Sequence, residues 1–355
     1  MRQVKLGSRI IGDGRPTFII AEMAWSHDGS IEKAKRIIRG AAEAKADAVN
    51  FHITSMKDYM VPRYTGGKGR IVEGRDAQHI YDRLCKINLS REAWKDLFGY
   101  ARGRNLLISA MCNDLASVKF ASQLGPDIYG IHSACLAEER LMTEVAARQK
   151  PVFLKVGGTY LREIERAVLL TQKAGNHDIV LMHGFQNYPT KLREMHLRYI
   201  QSLKQIFSLP VGFADHVDGG SELALVIPLV AVALGANVIE KHITHDRSVK
   251  GIDFESALDP EGLKRMIQNL REAEKAFGSS AARPLSRAEA AYRQTAKKRT
   301  VARSTLEKGE RITRDNMTFK RSDEGVYPDE SQYLIGRSVN IRVEKDDPLT
   351  WDKIY

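Results

Sequence analysis

Along the first 245 residues, short runs rich in β-branched and apolar residues alternate with longer stretches whose apolar positions recur every three or four residues. The short runs, at 18–22, 48–52, 106–111, 128–131, 152–155, 179–183, 211–214 and 238–242, carry few polar positions. They read as strands buried on both faces. The longer stretches, at 31–44, 91–103, 114–123, 139–148, 161–174, 199–207 and 221–234, read as helices, and 260–277 adds one after the last strand. Eight strands, each followed by a helix, make an α/β chain of the (β/α)8 TIM-barrel type rather than an open sheet. No GxGxxG follows the first strand, which removes the main sign of a dinucleotide-binding fold.

Beyond residue 277 the texture changes. A small, polar stretch at 278–284 leads to a charged helical segment at 286–298, and short β segments follow from Val301, with turns at Lys308–Gly309 and Glu324–Gly325. The expected division is a barrel over 1–277, a linker over 278–299 and a small β-rich domain over 300–355. The segment 54–77 reads as a long polar loop placed to cover the barrel mouth. The longest apolar run, 223–236, contains Pro228 and is too short to span a bilayer, so it reads as a buried helix. The first residues lack the apolar core of a signal peptide, and no membrane association is expected.

Composition narrows the class. With 43% apolar and 28% charged residues the chain is an ordinary globular protein. Cys85, Cys112 and Cys135 are widely spaced and odd in number, which argues against a disulfide framework and for a reducing cytoplasm. The net charge of +11 calls for an anionic partner. Its densest cluster, Lys297, Lys298, Arg299 and Arg303, lacks interleaved aromatics and reads as a solvated face, not a nucleic-acid surface. An anionic small molecule would be steered by the same field.

Candidate chemistry gathers at the strand ends. Glu22, His52, Cys112, Ser133, Lys155, His183, His216 and His242 fall at or just past the ends of eight strands, where such barrels keep their active sites. His216, in VGFADH, and His242, in VIEKHITHD, end neighbouring strands. Two adjacent neutral imidazoles suit a divalent metal; the alternative is two unrelated strand caps.

These residues resemble the sialic acid and related nonulosonate (N-acetylneuraminate, pseudaminate, legionaminate) synthases. FIIAEMAWSHDG is similar to that family's first-strand signature, with Ser26 in place of an Asn. ADAVNFH, YPT at 188–190, VGFADH, and EKHIT with GID at 240–253 match later segments, and KGERITRDNMTFKRSDEG with LIGRSV is similar to its C-terminal antifreeze-like (SAF, β-clip) domain. The resemblance implies condensation of phosphoenolpyruvate with the aldehyde of an N-acyl amino sugar, giving a 2-keto-3-deoxy sugar acid. It implies His216 and His242 as ligands of a divalent ion, manganese first, with magnesium, cobalt and zinc open. Glu22, His27 and Asp253 would be catalytic; Asn50, His52, Ser133, Lys155, Tyr188 and Asp215 would contact substrates. Arg321 would reach across a homodimer whose C-terminal domains are exchanged.

The departures from the family cluster on the phosphoenolpyruvate side. Asn50 and Gly130 stand where it has lysines, His52 where it has Gln, Ala110 and Ala214 where it has Thr and Ser, and Lys155 where it has Ser. Each lost charge-assisted bond to such an anion is worth about 1.5–3 kcal/mol. Lys155 would restore one contact, and Lys57, Arg63, Lys68 and Arg70 of the 54–77 loop are candidate substitutes. Two alternatives therefore stay open: metal-assisted aldol, lyase or isomerase chemistry on a carbonyl sugar without phosphoenolpyruvate, and a non-catalytic sugar-binding paralogue. Among the other histidines, His52 is the candidate for a new role and His183 for a structural hydrogen bond. His132 is expected to point outward and His245 to be exposed.

Overall fold

The computed structural model describes residues 2–63, 71–72, 75–76, 80–184, 187–278 and 281–355. Eight parallel strands close a barrel in chain order: β1 Phe18–Ala24, β2 Ala48–Ile53, β3 Leu107–Cys112, β4 Ile128–Ile131, β5 Val152–Lys155, β6 Ile179–His183, β7 Val211–Asp215 and β8 Val238–His242. The main outer helices are α1 Ile31–Glu43, α2 Arg91–Arg102, α3 Leu115–Leu124, α4 Glu139–Ala146, α5 Leu161–Lys173, α6 Tyr199–Phe207, α7 Leu223–Ala233 and α8 Pro260–Phe277. Side-chain oxygens start several of them: Ser30, Ser90, Asp114 and Asp259 each accept a backbone N–H of the first turn.

Strand alternation sorts the apolar residues into two cores. Ile19, Ala21, Val49, Phe51, Ile108, Ala110, Leu154 and Leu181 face outward and pack on the helices with Ile37, Trp94 and Leu203. Phe18, Ile20, Ala48, Ile128, Phe153, Val180, Met182 and Val238 fill the lumen. Val4, Leu6 and Ile11 join this inner core from an antiparallel hairpin, Val4–Leu6 with Arg9–Ile11, that the sequence pattern did not disclose. Only a Gly fits at position 212, since a Cβ there would lie 2.4 Å from Met182 Sδ and 2.8 Å from Val238 Cβ.

Three expectations change. Short helices occupy Met56–Tyr59 and Ile80–Ile87, and a small ladder joins Ile71–Val72 to Arg75–Asp76, so part of the expected 54–77 loop is ordered structure. α7 is buried on one face, through Ala224, Leu225, Pro228 and Ala231, while Val226 and Val230 lie exposed; it is not the wholly buried helix its composition suggested. His245 is half-buried rather than exposed.

The chain separates into two compact units, Met1–Gly278 and Ser279–Tyr355. In the second, α9 Arg287–Ala296 precedes β9 Lys298–Ala302, which pairs antiparallel with β10 Met317–Arg321. Isolated bridges, among them Leu306 with Val343 and Val339 with Ile354, tie together a core of its own built on Leu306, Ile312, Leu334, Val339, Val343 and Leu349. No helix among the described residues is long and apolar enough to cross a membrane.

Candidate active site

Above the apolar plug the inward positions turn polar. Phe18 and Ile20 lead to Glu22; Ala48 leads to Asn50 and His52; Phe153 leads to Lys155; Val238 leads to Glu240 and His242. Parallel pairing sets His242 beside Glu22 and Glu22 beside Asn50, so one side of the mouth is a continuous polar row.

Glu22 is buried and fully engaged. Its Oε1 accepts from the Ala24 N–H at 2.7 Å, next to a register shift in β1, and its Oε2 accepts from Asn50 Nδ2. His52 Nε2 lies 3.5 Å from Oε1. Burial alone would raise the Glu22 carboxyl, but His52, with His242 and Lys155 behind it, holds it well below the usual carboxylate range. Burial would lower the His52 imidazole, yet Glu22 outweighs burial and lifts it above its ordinary value. Carboxylate and imidazolium thus stabilise each other.

Lys155 meets Glu240 across the lumen in an ion pair buried at both ends. This partner corrects the expectation of a cation available to an incoming anion. The signal lay in EKHIT: with His242 facing inward, a strand period of two puts Glu240 on the same face. Burial raises the Glu240 carboxyl, Lys155 opposes this, and Glu22 adds to it, leaving Glu240 above its ordinary value.

The metal-type pair is brought together as expected. The rings of His216 and His242 lie 5.1 Å apart, and Tyr188, beside a cis bond to Pro189, packs edge-on against both, at 4.6 and 5.5 Å. Burial keeps His242 below its ordinary value. Its Nδ1 is buried with no hydrogen-bond partner and lies 4.0 Å from Asp253 Oδ2. A neutral imidazole with an unused lone pair is what a ligand needs. Among the described residues no three His, Cys, Asp or Glu side chains form a metal-holding group. The donor set therefore fits an ion bound by two imidazoles that keeps open positions, not a closed three- or four-residue centre.

Other candidates fall elsewhere. Asp215 is completely buried, accepting from Lys241 Nζ at 2.8 Å and from Val217 N at 2.9 Å; it clamps β7 to β8 and is not a substrate contact. Cys112, and the Ala110 noted for its lost Thr, face the outer core and not the mouth. His183 also turns from the mouth, to Tyr199 of α6, with Nε2 2.8 Å from Met195 O. His27 packs between Trp25 and Trp94, its Nδ1 accepting from Gly29 N at 3.1 Å, and burial pushes it down to about 4. It sits neutral in the β1–α1 turn, with its Nε2 buried and without a hydrogen-bond partner. His132 Nδ1 caps the short turn Ser133–Cys135 by accepting from Ala134 N, instead of simply pointing outward, and Ser133 opens that turn half-buried. Lys57, Arg63 and Arg321 are exposed, while Lys68 and Arg70 lie outside the described residues.

Comparison with known proteins gives the family. The NeuB family profile matches residues 37–282, and the SAF domain profile matches 300–354. The chain belongs to the NeuB family. It is 31% identical to the N,N'-diacetyllegionaminic acid synthase of Campylobacter jejuni, over 94% of this chain and 98% of that one. The human N-acetylneuraminate-9-phosphate synthase is 27% identical, over 96% and 93%. The crystal structure of the N-acetylneuraminic acid (sialic acid) synthetase from Leptospira borgpetersenii, solved with citrate, superposes with a TM-score of 0.72 at 29% identity, covering 83% of this chain and 97% of that one. The chain joins a TIM barrel to a C-terminal SAF domain.

Proposed function

We propose that this NeuB-family chain is a synthase that adds a three-carbon 2-keto acid unit to the aldehyde carbon of an open-chain N-acyl amino sugar, with phosphoenolpyruvate as donor. The observation that carries this reading is the paired His216 and His242 beside the ionised Glu22 at the carboxyl ends of β7, β8 and β1. His216 and His242 would hold a divalent ion, manganese first, which when bound supplies Lewis-acid polarisation of a carbonyl. Glu22, held as a carboxylate, orients water, and His52, protonated beside it, donates a proton. Asp253 lies on the sugar side next to His242. In the balanced reaction the donor methylene bonds to the aldehyde carbon, water adds at the enol carbon, and phosphate leaves. The test is phosphate release from phosphoenolpyruvate and manganese on adding N-acetylmannosamine or a diacetamido analogue. Release that needs both sugar and metal supports the reading; its absence across such sugars removes it.

One observation favours a second reading, a donor without phosphate. The inward positions expected to grip phosphate hold Asn50, which donates to Glu22, together with Gly130 and Ala214, and Lys155 is engaged by Glu240. The site would then run an aldol-type addition of a free 2-keto acid.

A further inference from the structure

The loops around the histidine pair are tied to one another at a single carbonyl. His216 O accepts the Thr190 N–H at 2.8 Å and the Ser256 hydroxyl at 2.9 Å. The first donor belongs to the loop after β6, which carries Tyr188; the second belongs to the loop after β8, which carries Asp253. Further bonds close the seam. Gly219 N donates to Glu255 O at 2.8 Å, and Leu258 N donates to His242 O at 2.9 Å. A Cβ at position 219 would lie 2.0 Å from Ala257 O, so the loops after β7 and β8 meet there at backbone distance.

We infer that Ser256 is a positioning residue that couples an ion held by His216 and His242 to the sugar-side loop carrying Asp253. The inference rests on the first reading above. Ser256 is completely buried, and its hydroxyl is not needed to satisfy the His216 carbonyl, which already has the Thr190 N–H. What the second donor adds is a fixed direction, and groups that orient a metal ligand from behind set its affinity. Asp253 is buried in the left-handed region, at φ 64°, with its carboxylate 4.0 Å from His242 Nδ1. A non-glycine residue keeps that backbone only where its surroundings hold it. Here they do so through Ser26 Oγ to Ile252 O at 3.2 Å and Ser256 N to Asp253 O at 3.1 Å.

Ser256 thus bonds to Asp253 through its main chain and to His216 through its side chain. Whatever fixes His216 also fixes the backbone that aims Asp253. By linkage the effect is mutual: the ion tightens an acceptor bound at Asp253, and that acceptor tightens the ion. The main-chain bond from Leu258 to His242 survives a change at position 256, so Ser256 is the part of the coupling that a side chain carries.

The experiment compares full-length wild type with Ser256→Ala by manganese calorimetry, melting, and hydrogen exchange of the peptide spanning 250–258. In wild type, manganese is expected to slow exchange at the Ser256 amide. Ser256→Ala should melt near wild type, bind manganese about 10- to 100-fold more weakly, and lose that slowing even at saturating ion. A merely structural serine would lower the melting temperature and leave the ion's effect on the loop in place. Should the alanine variant not fold, Ser256→Cys, a weaker donor of similar size, is read the same way. Manganese that leaves the wild-type loop unchanged, or slows it equally in the variant, overturns the inference, as does an unchanged affinity. If wild type releases phosphate on adding sugar while the ion leaves the loop untouched, the reaction stands and the coupling falls. If the ion slows the loop through Ser256 and no sugar drives phosphate release, the coupling stands and the reaction falls.

Discussion

At the scale of single residues, opposite shifts mark opposite roles. His52 is lifted because Glu22 outweighs burial, so its contribution to stability is complete below its unfolded value and is lost as pH rises through the folded one. In Glu22→Gln burial remains, with Lys155 adding to it and Asp253 opposing it, and the His52 imidazole should titrate lower than in wild type, as read by NMR; an unmoved titration would refute the pairing. His27 runs the other way. Its folded value is pushed down from 6.5 to about 4 by burial, so between those two values the unfolded chain binds more protons. Stability is whole above that window and falls as pH drops through it, by about 3 kcal/mol from this group. Urea denaturation at either end of the window should show that slope in wild type and a shallower one in His27→Gln. For the histidine pair, His216→Ala or His242→Ala should remove manganese binding by calorimetry while leaving the melting temperature nearly unchanged, because residues at the barrel mouth add little to either core.

At the scale of elements, β7 and β8 do the most to place the site. The Asp215–Lys241 pair, buried at both ends, crosses between residues adjacent in sequence to His216 and His242, and Lys241 also reaches Val217 O at 3.1 Å. Burial lowers the Lys241 ammonium while Asp215 pulls it back, so the charges depend on each other. Lys241→Met leaves a buried carboxylate uncompensated and should cost about 3–5 kcal/mol in chemical denaturation. Loss of less than about 1 kcal/mol would mean water reaches Asp215 and the clamp is not what sets the two histidines. Gly212→Ala drives a methyl into Met182 and Val238 of the inner core and should cost about 1–3 kcal/mol by overpacking.

At the scale of the whole molecule, two units with separate cores are joined in one chain. The first carries every candidate that converges on the barrel mouth. The second contributes Arg321, exposed at the end of β10. We propose a homodimer in which the C-terminal unit of one chain serves the barrel of its partner. Small-angle scattering should give the mass of two chains at assay concentration. Mixing Arg321→Ala chains with barrel-inactive His242→Ala chains should then restore part of the activity missing from each. A monomeric mass would exclude the exchange.

The barrel was legible in the chain because strands buried on both faces and amphipathic helices each leave a period in sequence, and eight repeats of the unit leave little else to build. The pairing of His216 and His242 was legible for the same reason, since consecutive strands of such a barrel are neighbours. The plugging hairpin was not, because three-residue strands are too short to show a period. Nor was the direction of strand-end residues: Cys112, His183 and Asp215 sit one position out of phase with the lumen, and a shift of one residue turns a side chain to the other face. Lys155 and Glu240 are 85 residues apart and lie on strands that are not neighbours. Only closure of the barrel brings them together across its lumen. A free cation, as the chain reads in one dimension, thereby becomes a buried pair.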